Sequence, residues 1–280
     1  IKKKKNFIEG VVEKVLVPSP DRVAPLDEHY LSCSPWQTMS YAKENEWKKI
    51  IAGETYQRLA KIENLQHEII SPSKEIGYRN KMEYNFCERP LSSSLLCEGE
   101  RDDALASTEE RVGRGLSLAF HDRGTHRLRP LERCVLGTEI IQNASEEIVD
   151  NLQKLKVPSS SLKSLIVRSD DSEKALAGLF VKDRDFMKRY NVEMGGSLKG
   201  LQIYYSNPLS PASVPTELLY SFGVNELECQ LSGARLKFGL NSFFQINTSI
   251  FEEALKVIGQ HVDGGRVVDY YSGVGAISLA

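Results

Sequence analysis

The feature that most restricts the fold lies near the end of the chain, in Val267-Val268-Asp269-Tyr270-Tyr271-Ser272-Gly273-Val274-Gly275. An apolar, β-branched run that ends in an acid and then a glycine-rich turn reads as a buried strand feeding the N-terminus of a helix. Glycines at such a turn let backbone come close to a ligand at the carboxyl edge of a parallel sheet. A dinucleotide loop would need GxGxxG, with phosphates on the helix dipole. Here Ser278 stands at the third glycine position and the acid precedes the glycines. A nicotinamide-dependent oxidoreductase is therefore the weaker reading. The bland alternative is a tight strand-to-helix turn that holds no ligand.

Upstream, Ser249-Ile250-Phe251-Glu252 has capping-box form and opens a helix whose apolar face carries Phe251, Ala254, Leu255 and Ile258. Before it stands an aromatic and polar loop, Asn241-Ser242-Phe243-Phe244-Gln245-Ile246-Asn247. Its bland reading is two core phenylalanines and an Asn near the helix cap. Alternation predicts a strand over 6–17, broken by Pro18-Ser19-Pro20-Asp21, and helical spacing runs from Met39 to about Ile62. Further strands are predicted over 81–86, 116–121, 164–168, 175–181, 201–206, 226–231 and 236–240, with a helix over 140–156 and a strand over 266–271. Residues 88–115 are rich in Ser, Glu and Arg and read as disordered; their role is open.

The 280 residues suffice for two ordinary domains. No apolar run approaches the roughly 20 residues of a membrane span, and Ile1 to Lys5 is too charged for a secretory signal. Five scattered cysteines without a CxxC pair fit a reducing, cytoplasmic setting. With a net charge of -2, nucleic-acid binding would rest on local patches. Candidates are Lys2 to Lys5 and the stretch 121–133, with Arg123, Arg127, Arg129 and Arg133, although solvated faces are the commoner meaning of such runs. The chain begins without Met inside a predicted strand and stops in the first turn of a predicted helix, so a piece of a longer protein, cut at both ends, is expected.

Acid before glycines is the order of the DxxxGxG loop of class I methyltransferases, whose ligand carries no phosphate. Residues 242–247 (SFFQIN), followed about twenty residues later by 267–275 (VVDYYSGVG), resemble the RNA 5-methyluridine methyltransferases that act on tRNA and 23S rRNA. Other segments agree in the same order. Pro18 to Pro25 resembles the exit from that family's TRAM domain, a small RNA-binding β-barrel. Gly77-Tyr78-Arg79-Asn80-Lys81-Met82-Glu83-Tyr84 matches its YRNK segment, and Ala119 to Asp122 with Leu131 to Cys134 matches the stretch ending in its last cluster cysteine.

The resemblance implies S-adenosylmethionine as cofactor, with Gln245 and Tyr271 touching it and Asp269, Gly273 and Gly275 shaping its loop. Ala276 falls where many members have a polar cofactor contact. Arg79 and Lys81 match RNA-facing positions, and Arg123 is a further RNA candidate. The family's 4Fe–4S cluster is expected to be absent, because Asp27 and Trp36 occupy two ligand positions and only Cys33 and Cys134 remain. Metal binding is therefore not expected, although Asp27 as an unusual ligand stays open. Trp36 would fill the vacated volume as a core residue.

The resulting expectation is an α/β plus α+β chain: a TRAM remnant over 1–22, a degenerate cluster region and connecting helix over 23–66, a central RNA-binding α+β domain with a mainly antiparallel sheet over 67–240, and the start of a Rossmann-like methyltransferase domain over 241–280. The implied function is methyl transfer to C5 of a uridine in 23S rRNA or tRNA by a monomer, with no DNA or membrane partner. The family's nucleophilic cysteine and general base lie after the glycine loop, so no catalytic residue is expected among the 280. The rival is a non-catalytic RNA-binding protein of the same fold.

Overall fold

The computed structural model of the chain describes residues 2–3, 5, 7–10, 12, 14–63, 65–90, 114–193, 195–210 and 212–279. Contacts divide it into two units, one of 1–26 with 35–69 and one of 27–34 with 70–280.

In the first unit, β1 (Lys2–Lys3) and β2 (Ile8–Glu9) pair antiparallel. The strand expected over 6–17 stops at Glu9, and Val12, Leu16 and Val17 are exposed. Extended backbone needs a neighbour for its N–H and C=O groups, and among the described residues none lies beside this stretch. Helix α1 (Tyr30–Cys33) belongs to the second unit, whereas α2 (Tyr41–Thr55) belongs to the first. Ser40 caps α2 by accepting the Lys43 N–H at 3.4 Å, and a π-turn over Tyr56–Ala60 ends at Lys61 in a left-handed conformation. The helix expected to reach Ile62 is thus shorter, and Trp47, Ile50 and Ile51 are exposed along it. Trp36 is half-buried in a short 3-10 turn that contains no buried residue, which corrects its expected place in a core.

The second unit is built on β3 (Lys81–Pro90), β4 (Arg114–His121), β5 (Leu128–Leu131), α3 (Glu139–Lys154), β6 (Leu162–Ser169), β7 (Ala175–Val181), α4 (Phe186–Arg189), β8 (Leu198–Tyr205) and β9 (Glu217–Gly223). A hairpin of β10 (Glu226–Leu231) and β11 (Ala234–Gly239) and the helix α5 (Thr248–Gly259) follow. The seven strands order as β5-β4-β3-β6-β7-β8-β9, with β7 and β8 parallel and the other neighbours antiparallel. This is the largely antiparallel α+β sheet expected from the sequence. Strands β3 and β4 run into the stretch expected to be disordered, pairing Glu88 with Leu116 and Pro90 with Arg114; residues 91–113 lie outside the described residues.

Both faces of the sheet are covered, which explains why β7 is a continuous apolar run and β6 is buried along nearly its whole length. On one face Leu165, Val167, Leu179 and Leu201 meet Ile141, Ala144, Ile148 and Leu152 of α3, which recur at helical spacing. On the other face Ile166, Leu176 and Phe180 meet Leu227, Leu236, Phe238 and Phe244. Gly178 is needed on that face because a Cβ there would lie 2.0 Å from Leu240 Cδ2. Of the two phenylalanines before α5, Phe244 is buried and stacks on Phe238 at 4.4 Å, whereas Phe243 is 78% exposed.

Two local expectations are corrected. Helix α5 is capped by Asn247, whose side chain accepts the Ile250 N–H at 3.3 Å; Ser249 lies inside the helix. The run 266–271 forms no strand, and Val267, Val268 and Tyr270 are exposed. A parallel strand is held by neighbours on its edges, and among the described residues this run has none.

Candidate functional site

The segment 78–81 enters β3 and is stitched to the loop before α5. The Asn80 side chain donates from Nδ2 to the Gln245 carbonyl at 2.9 Å, and the Asn80 N–H donates to the Ile246 carbonyl at 3.1 Å. On its other side, Arg79 donates its N–H to the Leu136 carbonyl at 2.8 Å and accepts from the Thr138 N–H at 3.1 Å. Two motifs far apart in sequence thus form one surface.

Three basic residues converge at this junction. Lys81 pairs across the sheet with Arg168, and both are partly desolvated. Burial, and then the Arg168 charge, hold the Lys81 ammonium below its ordinary range. Burial alone brings Arg168 down to about 10. Arg168 donates to the Gly239 carbonyl at 2.9 Å and lies 5.4 Å from the Phe238 ring. Arg79, Lys81, Phe120 and Ile246 line a pocket of about 280 Å³. On the other side of Asn80 a cleft of about 840 Å³ is lined by Tyr78, Thr138, Ser169 and Asn247.

The glycine loop sits on the same apolar floor as Phe244, through Val274 and Ala276. Tyr271, Gly273 and Gly275 have φ of 67°, 56° and 77°, the left-handed region that glycine adopts without cost. A Cβ on Gly275 would lie 2.7 Å from Leu279 Cδ1. The Asp269 Oδ2 atom is buried with no hydrogen-bond partner among the described residues, and the Tyr271 ring is fully exposed. A buried, unsatisfied carboxylate oxygen beside a tight glycine turn fits a ligand that brings hydrogen-bond donors. An aminoacyl group with an ammonium is such a ligand.

The arginines of 121–133 divide. Arg129 is paired with Asp122 at 2.7 Å and holds that carboxyl below its usual range, and Arg133 is paired with Glu139 and Glu146. Arg123 and Arg127 stand exposed on the β4–β5 turn, which the antiparallel register places at the end of the sheet where β3 begins.

Beneath the pocket, α1 brings Cys33 to Cys134, as their shared motif suggested, and Asp27 and His29 join them. Asp27 Oδ2 lies 3.6 Å from Cys33 Sγ, 3.8 Å from Cys134 Sγ and 3.7 Å from His29 Nε2. The hydrogen bond from Cys33 draws the Cys134 thiol down to about 6, and the same pairing pushes Cys33 up. Sequence reasoning missed His29 and Arg168. Arg168 carries a signal, a charge on an apolar alternating face; His29 carries only its spacing from Asp27 and Cys33.

No protein-family model matches the chain. It is 24% identical over 300 residues to an uncharacterized RNA methyltransferase of Porphyromonas gingivalis, covering 99% of this chain and 63% of that protein. It is 21% identical over 281 residues to the 23S rRNA (uracil(1939)-C(5))-methyltransferase RlmD of Pseudoalteromonas translucida, covering 99% and 58%. Among solved structures it matches the Pyrococcus abyssi tRNA (uracil-54, C5)-methyltransferase in complex with S-adenosyl-L-homocysteine, with a TM-score of 0.65, 17% identity, and coverage of 95% of this chain and 57% of that one. That likeness is one of fold, a mixed α/β and α+β architecture. By sequence the chain is similar to curated RNA methyltransferases along its whole length, one of them a uracil-C5 enzyme, which agrees with the resemblance drawn from its motifs. The chain spans about 60% of the length of the curated relatives it matches. Among the described residues no helix is long and apolar enough to cross a membrane.

Proposed function

We propose that this chain is the RNA-gripping and cofactor-loop part of an S-adenosylmethionine-dependent methyltransferase that acts on C5 of a uridine in 23S rRNA or tRNA. The observation that carries this reading is the bonding of Asn80 to Gln245 and Ile246, which puts a basic segment and the loop before α5 on one surface.

In this reading Gln245 and Tyr271 hold the cofactor, which supplies an electrophilic methyl group when bound. Gly273 and Gly275 bring backbone N–H groups close to it, and the orphaned Asp269 oxygen receives its donors. Arg79 and Lys81 meet RNA phosphates, so that a uridine turned out of its stack is presented beside the pocket that Phe120 and Ile246 line. Cofactor and acceptor are then oriented beside one another by the central sheet and the loops packed on it, the chief means by which such a transfer is accelerated before any acid or base acts. Catalysis is assigned to none of the 280 residues; no cysteine here matches the family's nucleophile.

The test is methyl transfer by the natural gene product that carries this sequence, with labelled S-adenosylmethionine and unmodified tRNA or 23S rRNA, followed by nucleoside analysis. A 5-methyluridine product on one RNA is expected. Binding of either RNA by folded, cofactor-loaded protein without any product would favour the non-catalytic RNA-binding reading instead.

A further inference from the structure

We propose that Asp27, His29, Cys33 and Cys134 bind a single zinc ion, in the place where the family resemblance implies a 4Fe–4S cluster. One ligand atom from each of the four residues lies within 4.8 Å of every other, and three separations are 3.6, 3.7 and 3.8 Å. Zn–S bonds of about 2.3 Å in a tetrahedron place ligand atoms roughly 3.8 Å apart. The four donors are thus already spaced for one ion. A four-iron cluster puts layers of iron and sulfide between its thiolates and takes four of them as ligands. This site offers two thiolates, at separations that leave no room for a cube.

The donor set points the same way. Two sulfurs, one imidazole and one carboxylate are each established zinc ligands, and four of them close a structural site. His29 is 5% exposed, its Nε2 has no hydrogen-bond partner among the described residues, and that atom faces Asp27 Oδ2 at 3.7 Å. A buried ring nitrogen left so is a cost unless something binds it.

Surrounding groups hold the ligands in place, as metal sites require. Asp27 Oδ1 accepts the Val135 N–H at 3.2 Å, which turns Oδ2 toward the sulfurs. The Gln142 side chain grips both sides of Cys134, accepting its N–H at 3.3 Å and donating to its carbonyl. The His29 ring is braced at 5.4 Å by Phe120, which also lines the pocket beside Cys33, Arg79 and Lys81. The ion would pin α1 to the segment before α3, under the wall of the pocket. This site stands on its own geometry, so its test is independent of the methyl-transfer reading.

The natural gene product is purified anaerobically under reducing conditions from cells supplied with both iron and zinc, and its zinc, iron and acid-labile sulfide are measured. One zinc per chain without labile sulfide is expected. The chelated protein, titrated with Co²⁺, should saturate at one equivalent, with the intense visible bands of tetrahedral cobalt and a thiolate-to-cobalt charge-transfer band. His29→Gln should shift the visible bands and keep the charge-transfer band. Cys134→Ser should lower the charge-transfer band to about half, since one of two thiolates is lost. Cys229→Ser, whose thiol lies outside the site, should change neither. Four irons with labile sulfide, a Cys33–Cys134 disulfide in metal-free protein, failure to bind Co²⁺ or Zn²⁺, or a His29→Gln spectrum identical to the parent's would each overturn the proposal.

Discussion

Asn80 Nδ2 donates to the Gln245 carbonyl at 2.9 Å, tying the first turn of the central sheet to a loop 165 residues later. The bond holds the Gln245 backbone against the start of β3. Asn80→Ala removes it while the N–H to Ile246 bond remains. A lost hydrogen bond of this kind is worth about 1 kcal/mol, or roughly fivefold in affinity. Calorimetric titration of S-adenosylhomocysteine should show that loss, with the melting temperature nearly unchanged; unaltered affinity would remove Gln245 from the cofactor site.

The glycine loop gives a second prediction. Gly273→Ala and Gly275→Ala force a Cβ into left-handed backbone, at about 1–2 kcal/mol each, and at Gly275 also against Leu279. Cofactor affinity should fall about tenfold or more, whereas urea unfolding of the central sheet should shift little, because the loop lies outside the sheet.

Lys81 carries a pH prediction. Burial and Arg168 lower its pKa, and a phosphate beside it favours the charged form. RNA affinity should therefore weaken as pH rises through the lowered Lys81 pKa, earlier than an ordinary lysine would allow. Lys81→Gln should abolish that limb and reduce the salt slope of binding by about 1. Arg123→Ala should change binding less than Arg79→Ala does, and the reverse order would move the RNA surface to the β4–β5 turn.

Stability should be most sensitive where α3 meets the sheet. Leu152 is fully buried there, and Leu152→Ala should cost about 2–5 kcal/mol by urea denaturation. Gly178→Ala should cost about 1–3 kcal/mol by overpacking Leu240.

The sheet was legible in the sequence wherever the pattern was local. Residues 175–181 and 226–231 read as strands and are strands with those bounds, the first marked by a continuous apolar run and the second by alternation. β9 was not legible: its residues are half-buried or exposed, and its place is set by pairing with β8. The run 266–271 shows the opposite failure, a strong strand pattern without a neighbouring strand. The cofactor and RNA residues were named from motif resemblance, but the bond from Asn80 to Gln245 was invisible, since nothing local links residues so far apart. Likewise Cys33 and Cys134 were paired by motif, whereas His29 joins them only through the turn that opens α1.

The most direct measurement of the central claim uses RNA transcripts carrying tritium at C5 of uridine, incubated with the natural gene product and S-adenosylmethionine. Methylation at C5 must expel that hydrogen, so cofactor-dependent release of tritium to water, equal to the methyl groups incorporated, is the expected result. Methyl incorporation without tritium release would contradict C5 as the acceptor, and neither signal from folded, cofactor-bound protein would contradict the methyltransferase assignment itself.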